Sequence, residues 1–155
     1  MAKYILGLDP GEKGGIAVLD RDGDVIEVCK MPMTPFDILA FLRNYPADEC
    51  VAYLENVGQG MPGQSSSATA KFARHNGHLE MALLAIGIKT NMVTPQKWQK
   101  AYQMGSSKGF TKTEWKNKLK AKAQQIFPNL GKQITLATSD ALLLAEYGRK
   151  EEGCR

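Results

Sequence analysis

The sequence predicts a mixed α/β fold, a five-stranded sheet flanked by helices, and three observations carry that reading. Short apolar runs bounded by turn residues recur at 4–8, 16–19, 25–31, 50–54 and 88–93. The first three are joined by hairpin-sized turns and so pair antiparallel. The others are separated by stretches long enough for helices, the crossovers that parallel strands need.

Each element has a local cause. Residues 4–8 are an apolar run, and Asp9 stands at its end. Pro10, Gly11, Gly14 and Gly15 turn the chain into the second strand, and Asp22-Gly23-Asp24 turns it into the third. Thr34 and Pro35 then open a helix as cap and first helical residue, with Phe36, Leu39, Ala40 and Leu42 as its apolar face and Pro46 as its end. The strand at 50–54 carries Glu55 at its end, and the stretch NVGQGMPGQSSS after it is too polar for core and reads as a loop. A long helix over 66–86 stops at Gly87. After the fifth strand, Thr94-Pro95 opens a helix to about Gln103, and 104–109 read as a flexible loop. Thr111 caps a basic helix that runs to Phe127 and is stopped by Pro128. A last helix covers 136–149, with Thr138 or Ser139 as cap, and the tail KEEGCR is expected to fray.

A chain of 155 residues fits a single domain, 1–155, large enough to bury about 70% of the surface its unfolded form exposes. No apolar run approaches the roughly 18 residues of a membrane span. No secretory signal pattern opens the chain, so a cytoplasmic location is expected. Cys29, Cys50 and Cys154 are odd in number and widely spaced, which argues for reduced thiols rather than a disulfide scaffold or a zinc site. His75 and His78 read as surface histidines on a helix.

The net charge is only +4, but it is unevenly distributed. Between Lys97 and Lys132 there are nine lysines and one acid, Glu114. Trp98, Tyr102, Phe110 and Trp115 are interleaved with them, a pattern suited to a phosphate backbone. Acidic residues gather instead around Asp20, Asp22, Asp24 and Glu27, in what reads as an exposed hairpin.

Asp9 and Glu55 both terminate apolar strands. If those strands are parallel neighbours, the two carboxylates lie side by side. Asp140 opens the last helix, and the apolar ALLLA that follows must pack on the sheet, which brings Asp140 to the same edge. Taken singly, each acid has a plain structural explanation: a turn, a strand-end charge, a helix N-terminus. Together they would repel one another, and a hard divalent cation with oxygen ligands, Mg²⁺ or Mn²⁺, resolves that repulsion. Two such ions suit phosphodiester cleavage.

Four blocks, GLDPGEKGGIAVLD, YLENVGQGMPGQSSSATAKFARHNG, VTPQKWQKAY and TSDALLLAEYG, resemble the RuvC-type Holliday junction resolvases, above all the RuvC-like proteins of bacteriophages and prophages. The resemblance runs from Tyr4 to about Gly148. It implies an RNase H-like fold and a homodimeric endodeoxyribonuclease that nicks four-way junctions in pairs with Mg²⁺ or Mn²⁺, two ions per site. It makes Asp9, Glu55 and Asp140 the metal-binding catalytic acids and residues 58–64 the loop that reaches the junction. Gln64, Lys71, Arg74, Lys97 and Lys100 fall in or beside its DNA-binding blocks, with Lys108 and Lys112 added from the basic segment. One departure stands out: many cellular members carry a further Asp or His three residues before the final acid, where this chain has Ala137.

Three other readings compete. An RNase H-like nuclease acting on structured RNA shares the opening motif but not VTPQKWQK. A junction-binding module that has lost a ligand is favoured by Ala137. A sugar-kinase or actin-like ATPase opens similarly but needs two such domains, and this chain supplies one.

Overall fold

The computed structural model describes residues 1–57 and 65–154. Its strands are β1 (Tyr4–Asp9), β2 (Gly15–Asp20), β3 (Val25–Lys30), β4 (Cys50–Glu55) and β5 (Lys89–Val93). The helices are α1 (Pro35–Leu42), α2 (Ser66–Ile86), α3 (Pro95–Ala101), α4 (Lys112–Ile126) and α5 (Ser139–Glu151). The strands form one sheet in the order β3-β2-β1-β4-β5. β1 pairs antiparallel with β2 and β2 with β3, whereas β1–β4 and β4–β5 are parallel. This is the mixed sheet that the run spacing predicts.

Strand alternation divides the core in two. Ile5, Ala17, Leu19, Val51 and Tyr53 face α3, α4 and α5, and Leu6, Leu8, Ile16, Val18, Ala52 and Leu54 face α1 and α2. Asp9 is in phase with Ile5, and Glu55 with Val51 and Tyr53. Both acids therefore project toward the α5 side.

α5 approaches β1 closely. A Cβ on Gly7 would run into the carbonyl oxygen of Ala141 and lie 2.5 Å from the Ala145 amide nitrogen. One turn further along, a Cβ on Gly148 would enter the Tyr53 ring. Two glycines, one on the sheet and one on the helix, thus let α5 lie directly on β1 and β4. Ala141 to Ala145 are at most 1% exposed as a result.

Helix ends mostly follow the caps read from sequence. Thr34 and Thr94 accept the amides of Asp37 and Lys97, and Pro35 and Pro95 occupy the first helical positions. Thr111 and Glu114 form a reciprocal capping box, and Phe110 and Trp115, flanking it, pack edge to face. α2 ends at Gly87 with φ of 90°, a left-handed cap that glycine adopts without strain.

Four details differ from expectation. α1 buries Ile38, Phe41 and Leu42, and Phe36 is 76% exposed. Its inward stripe is phased by the i, i+3, i+4 set that starts at Ile38, which puts Phe36 on the other side. The helix also ends at Leu42, before Pro46, which instead leads into a 3₁₀ turn. α5 begins at Ser139 rather than 136. Thr138 occupies the cap position, but its hydroxyl donates to the Gln133 carbonyl and accepts the Thr135 amide, so it stabilises the preceding turn and not the helix. The tail does not fray over 150–154: Lys150 and Glu151 remain helical, and the Cys154 amide donates to the Arg149 carbonyl.

The α5 C-terminus also anchors the acidic hairpin. Arg149 pairs with Glu146 at 2.7 Å, both buried, and its guanidinium donates to the Arg21 carbonyl. Gly7→Ala is expected to cost about 3 kcal/mol or more, because backbone atoms and not a flexible side chain occupy the space. Urea unfolding checks this, and a loss below about 0.5 kcal/mol would show that α5 can lift away from β1.

Candidate metal centre

Parallel pairing sets β1 beside β4 in the register Gly7↔Tyr53 and Leu8↔Leu54, so the next residues on each strand, Asp9 and Glu55, end the two strands together. α5, pressed on Gly7, delivers Asp140 in its first turn. One carboxylate oxygen from each of Asp9, Glu55 and Asp140 lies within 4.8 Å of the others. Asp9 and Glu55 are buried, and Asp140 is half-buried. Among the described residues no Lys or Arg comes within ion-pair distance of any of them.

Burial and mutual repulsion act together on these groups. Asp9 is held well above the ordinary carboxylate range by burial first, then by Asp140 and Glu55. Burial and Asp140 push Glu55 up to about 7, against the opposing effects of the Trp98 hydrogen bond and Lys116. Asp140 is raised to about 6 by burial, with Lys116 again opposing. Three converging carboxylate oxygens that no Lys or Arg among the described residues pairs directly are a donor set for a hard divalent ion, and the residues present fit one. Ala137 adds no ligand, and the carbonyl of that residue packs against Gly15.

The sequence reading missed three contributors. Trp98 is fully buried, and its indole N–H donates to Glu55 Oε2 at 2.7 Å. Trp98 and Tyr102 were expected to interleave with lysines at a phosphate backbone. Both face the core instead, where Tyr102 donates its hydroxyl to the Leu143 carbonyl of α5. Their i, i+4 spacing, out of phase with Lys97 and Lys100, is the signal for an inward stripe. Lys116 acts on all three acids, and it shares the α4 face of buried Leu119 and Ala123.

His75 is the third, and it is not a plain surface histidine. Its Nδ1 accepts the Gly11 amide at 3.0 Å, which places the proton of the neutral ring on Nε2. Burial and His78 lower its pKa, and Glu12 opposes them. Phe72, one turn earlier on α2, lies 3.4 Å from where a Gly11 Cβ would be. α2 therefore braces the turn that follows Asp9.

The basic residues singled out from sequence lie on α2, on α3, in the loop after it and on α4. Lys71 and Arg74 are exposed on α2, one residue before Phe72 and His75 and so rotated about 100° from the face that braces the turn. Lys97 and Lys100 are exposed on α3, Lys108 in the following loop and Lys112 at the start of α4. That loop is anchored at its first residue, since Met104 is buried and its carbonyl accepts the Lys118 ammonium. Gln64 and the rest of 58–64 lie outside the described residues.

Two solved structures share this architecture. Thermus thermophilus RuvC in complex with Holliday junction substrate matches with a TM-score of 0.68, 13% identity and coverage of 97% of this chain and 96% of that one. A second T. thermophilus RuvC structure matches with a TM-score of 0.62, 16% identity and 97% coverage of each chain. The chain has the RuvC fold. At this identity the RuvC likeness speaks to architecture, and it agrees with the RNase H-like sheet expected from sequence. No family model and no curated protein matches the chain.

The raised acids set a pH dependence. In the metal-free folded chain they hold protons that the unfolded chain releases near pH 4, so stability falls as pH rises from about 4 to about 7. Asp9→Asn removes one of the repelling charges. In EDTA at about pH 8 it is expected to gain about 2 kcal/mol, or about 4–8 °C in Tm, with little gain near pH 4.5. Thermal melts across this range check it, and a parental Tm that does not fall between those limits contradicts the electrostatic picture.

Proposed function

We propose that this chain is a metal-dependent, structure-selective endonuclease that resolves four-way junctions or other branched DNA by paired phosphodiester cleavage. The observation that carries the reading is the trio Asp9, Glu55 and Asp140, two buried and one half-buried at one sheet edge, with no Lys or Arg among the described residues within ion-pair distance. The likeness to a RuvC chain bound to Holliday junction substrate supports the choice of branched DNA.

On this reading the three carboxylates hold Mg²⁺ or Mn²⁺, and a pair of such ions supplies an activated water and stabilises the leaving oxygen. Lys116 offsets part of the negative charge while the site waits for its cation. Lys71, Arg74, Lys97, Lys100, Lys108 and Lys112 engage backbone phosphates, and Gln64 with its neighbours in 58–64 reaches the branch point. Neutralised phosphates make such binding strongly salt-dependent. The whole chain, 1–155, works as one nuclease domain. Among the described residues no helix is long and apolar enough to cross a membrane. The reading places the protein in a bacterial cytoplasm, in keeping with its resemblance to phage and prophage proteins.

Paired nicks need paired active sites, and a two-fold dimer supplies them. α2 offers a surface for it: Ala73, Gly77, Met81 and Leu84 recur along one exposed stripe, with Met81 62% and Leu84 73% exposed. Leu84→Lys is expected to shift sedimentation from dimer to monomer and to uncouple the two nicks. A fully active monomeric parent in the ultracentrifuge would remove the dimer from the proposal.

The principal test is cleavage of a labelled synthetic four-way junction with Mg²⁺ or Mn²⁺. The parent should give symmetric paired nicks, and Asp9→Asn should bind without cutting. Ala137 gives a second reading its footing, a junction-binding module without catalysis. Equal junction binding by both proteins and cleavage by neither would select that reading. Preferential cutting of structured RNA over the junction would redirect the proposal to RNA.

A further inference from the structure

VTPQKWQKAY puts Trp98 and Tyr102 on one side of a short helix, four residues apart. Each is tied to a different acid-bearing element. Trp98 bonds Glu55 at the end of β4 across 43 positions, and Tyr102 bonds the Leu143 carbonyl of α5, whose first turn carries Asp140. The two rings meet edge to face at 6.3 Å. Gln99, between them, accepts the indole N–H of Trp115 and joins α3 to the helix that bears Lys116.

An indole N–H donates only, is not lost at any physiological pH, and cannot itself ligate a cation. It is therefore a fixed marker for one oxygen of a carboxylate. We infer that Trp98 is a positioning residue for the metal centre: it holds Glu55 by Oε2 and presents Oε1 as the oxygen that meets the cation. This rests on the metal-site reading above and deepens it. Glu55 then enters the coordination shell through one predetermined atom, already oriented before the ion arrives. A carboxylate freed from Trp98 would rotate, use either oxygen or both, and lose that preorganisation. Hydrogen-bond partners of metal ligands commonly contribute about 10–100-fold in metal affinity.

The test uses the full chain without DNA. Trp98→Phe keeps most of the ring volume and removes the donor. It is expected to bind Mn²⁺ about tenfold or more weakly by calorimetry, and to regain junction cleavage at raised Mn²⁺. Tyr102→Phe, which loses the tie to α5 but leaves Glu55 bonded, should change Mn²⁺ affinity less. Parental affinity in Trp98→Phe overturns the inference. A parent that takes up no Mn²⁺ sinks the metal-site reading instead, so the two failures are distinct.

A measurement on the unaltered protein guards against a variant that does not fold. The chain has two tryptophans, so ¹⁵N-indole spectra hold two side-chain signals. The Trp98 signal should be protected from exchange and shift on Mg²⁺ addition, while that of Trp115 stays put. Glu55→Gln should abolish the shift. A Trp98 signal indifferent to Mg²⁺ overturns the inference as well.

Discussion

The contact on which the rest depends is the one between α5 and Gly7. A helix normally stands off a sheet by the depth of two layers of side chains. Here one layer is missing, and the helix backbone lies on the strand. That closeness fixes where the first turn of α5 comes down, and so fixes Asp140 beside Asp9. The parallel β1–β4 pairing then brings Glu55 to the same point. α3 and α4 fill the remaining space on that face, and their buried groups, Trp98 and Leu119, are what the packing against β4 and α5 leaves room for.

The arrangement sets electrostatics against packing. Three carboxylates are taken out of water next to one another, where each disfavours the ionisation of its neighbours. The fold tolerates this because the surrounding apolar contacts are extensive and because Lys116 and the Trp98 indole each offset part of the repulsion. Elsewhere the same protein treats a buried acid differently: Glu146 has Arg149 at 2.7 Å. The contrast within one helix separates Glu146, matched in place by a cation of the chain, from Asp140, which no Lys or Arg among the described residues pairs directly.

Much of this was legible in the sequence, for reasons that can be stated. Strand-terminal acids after apolar runs point to a sheet edge, and strand alternation puts Asp9 and Glu55 on one face. The apolar ALLLA after Asp140 required that helix to be buried. What escaped detection depends on tertiary phase. The apolar face of α1 could be drawn through Phe36 or through Ile38, and only docking against α2 chooses. His75 looks like any helical histidine until the Gly11 amide arrives from 64 positions away. Trp98 sits among lysines, and composition alone reads that as a surface. Lys116 differs from its neighbours only by the side of the helix it occupies.

The three acids arrive at long intervals along the chain, Asp9 first and Asp140 last. A ribosome must release all five strands and four of the helices before the third carboxylate exists, and α5 must then dock on Gly7 before it is in range. Nascent and partly folded chains therefore carry Asp9 and Glu55 without the third carboxylate beside them. The trio is complete only once α5 has docked, a form of timing written into the order of the elements.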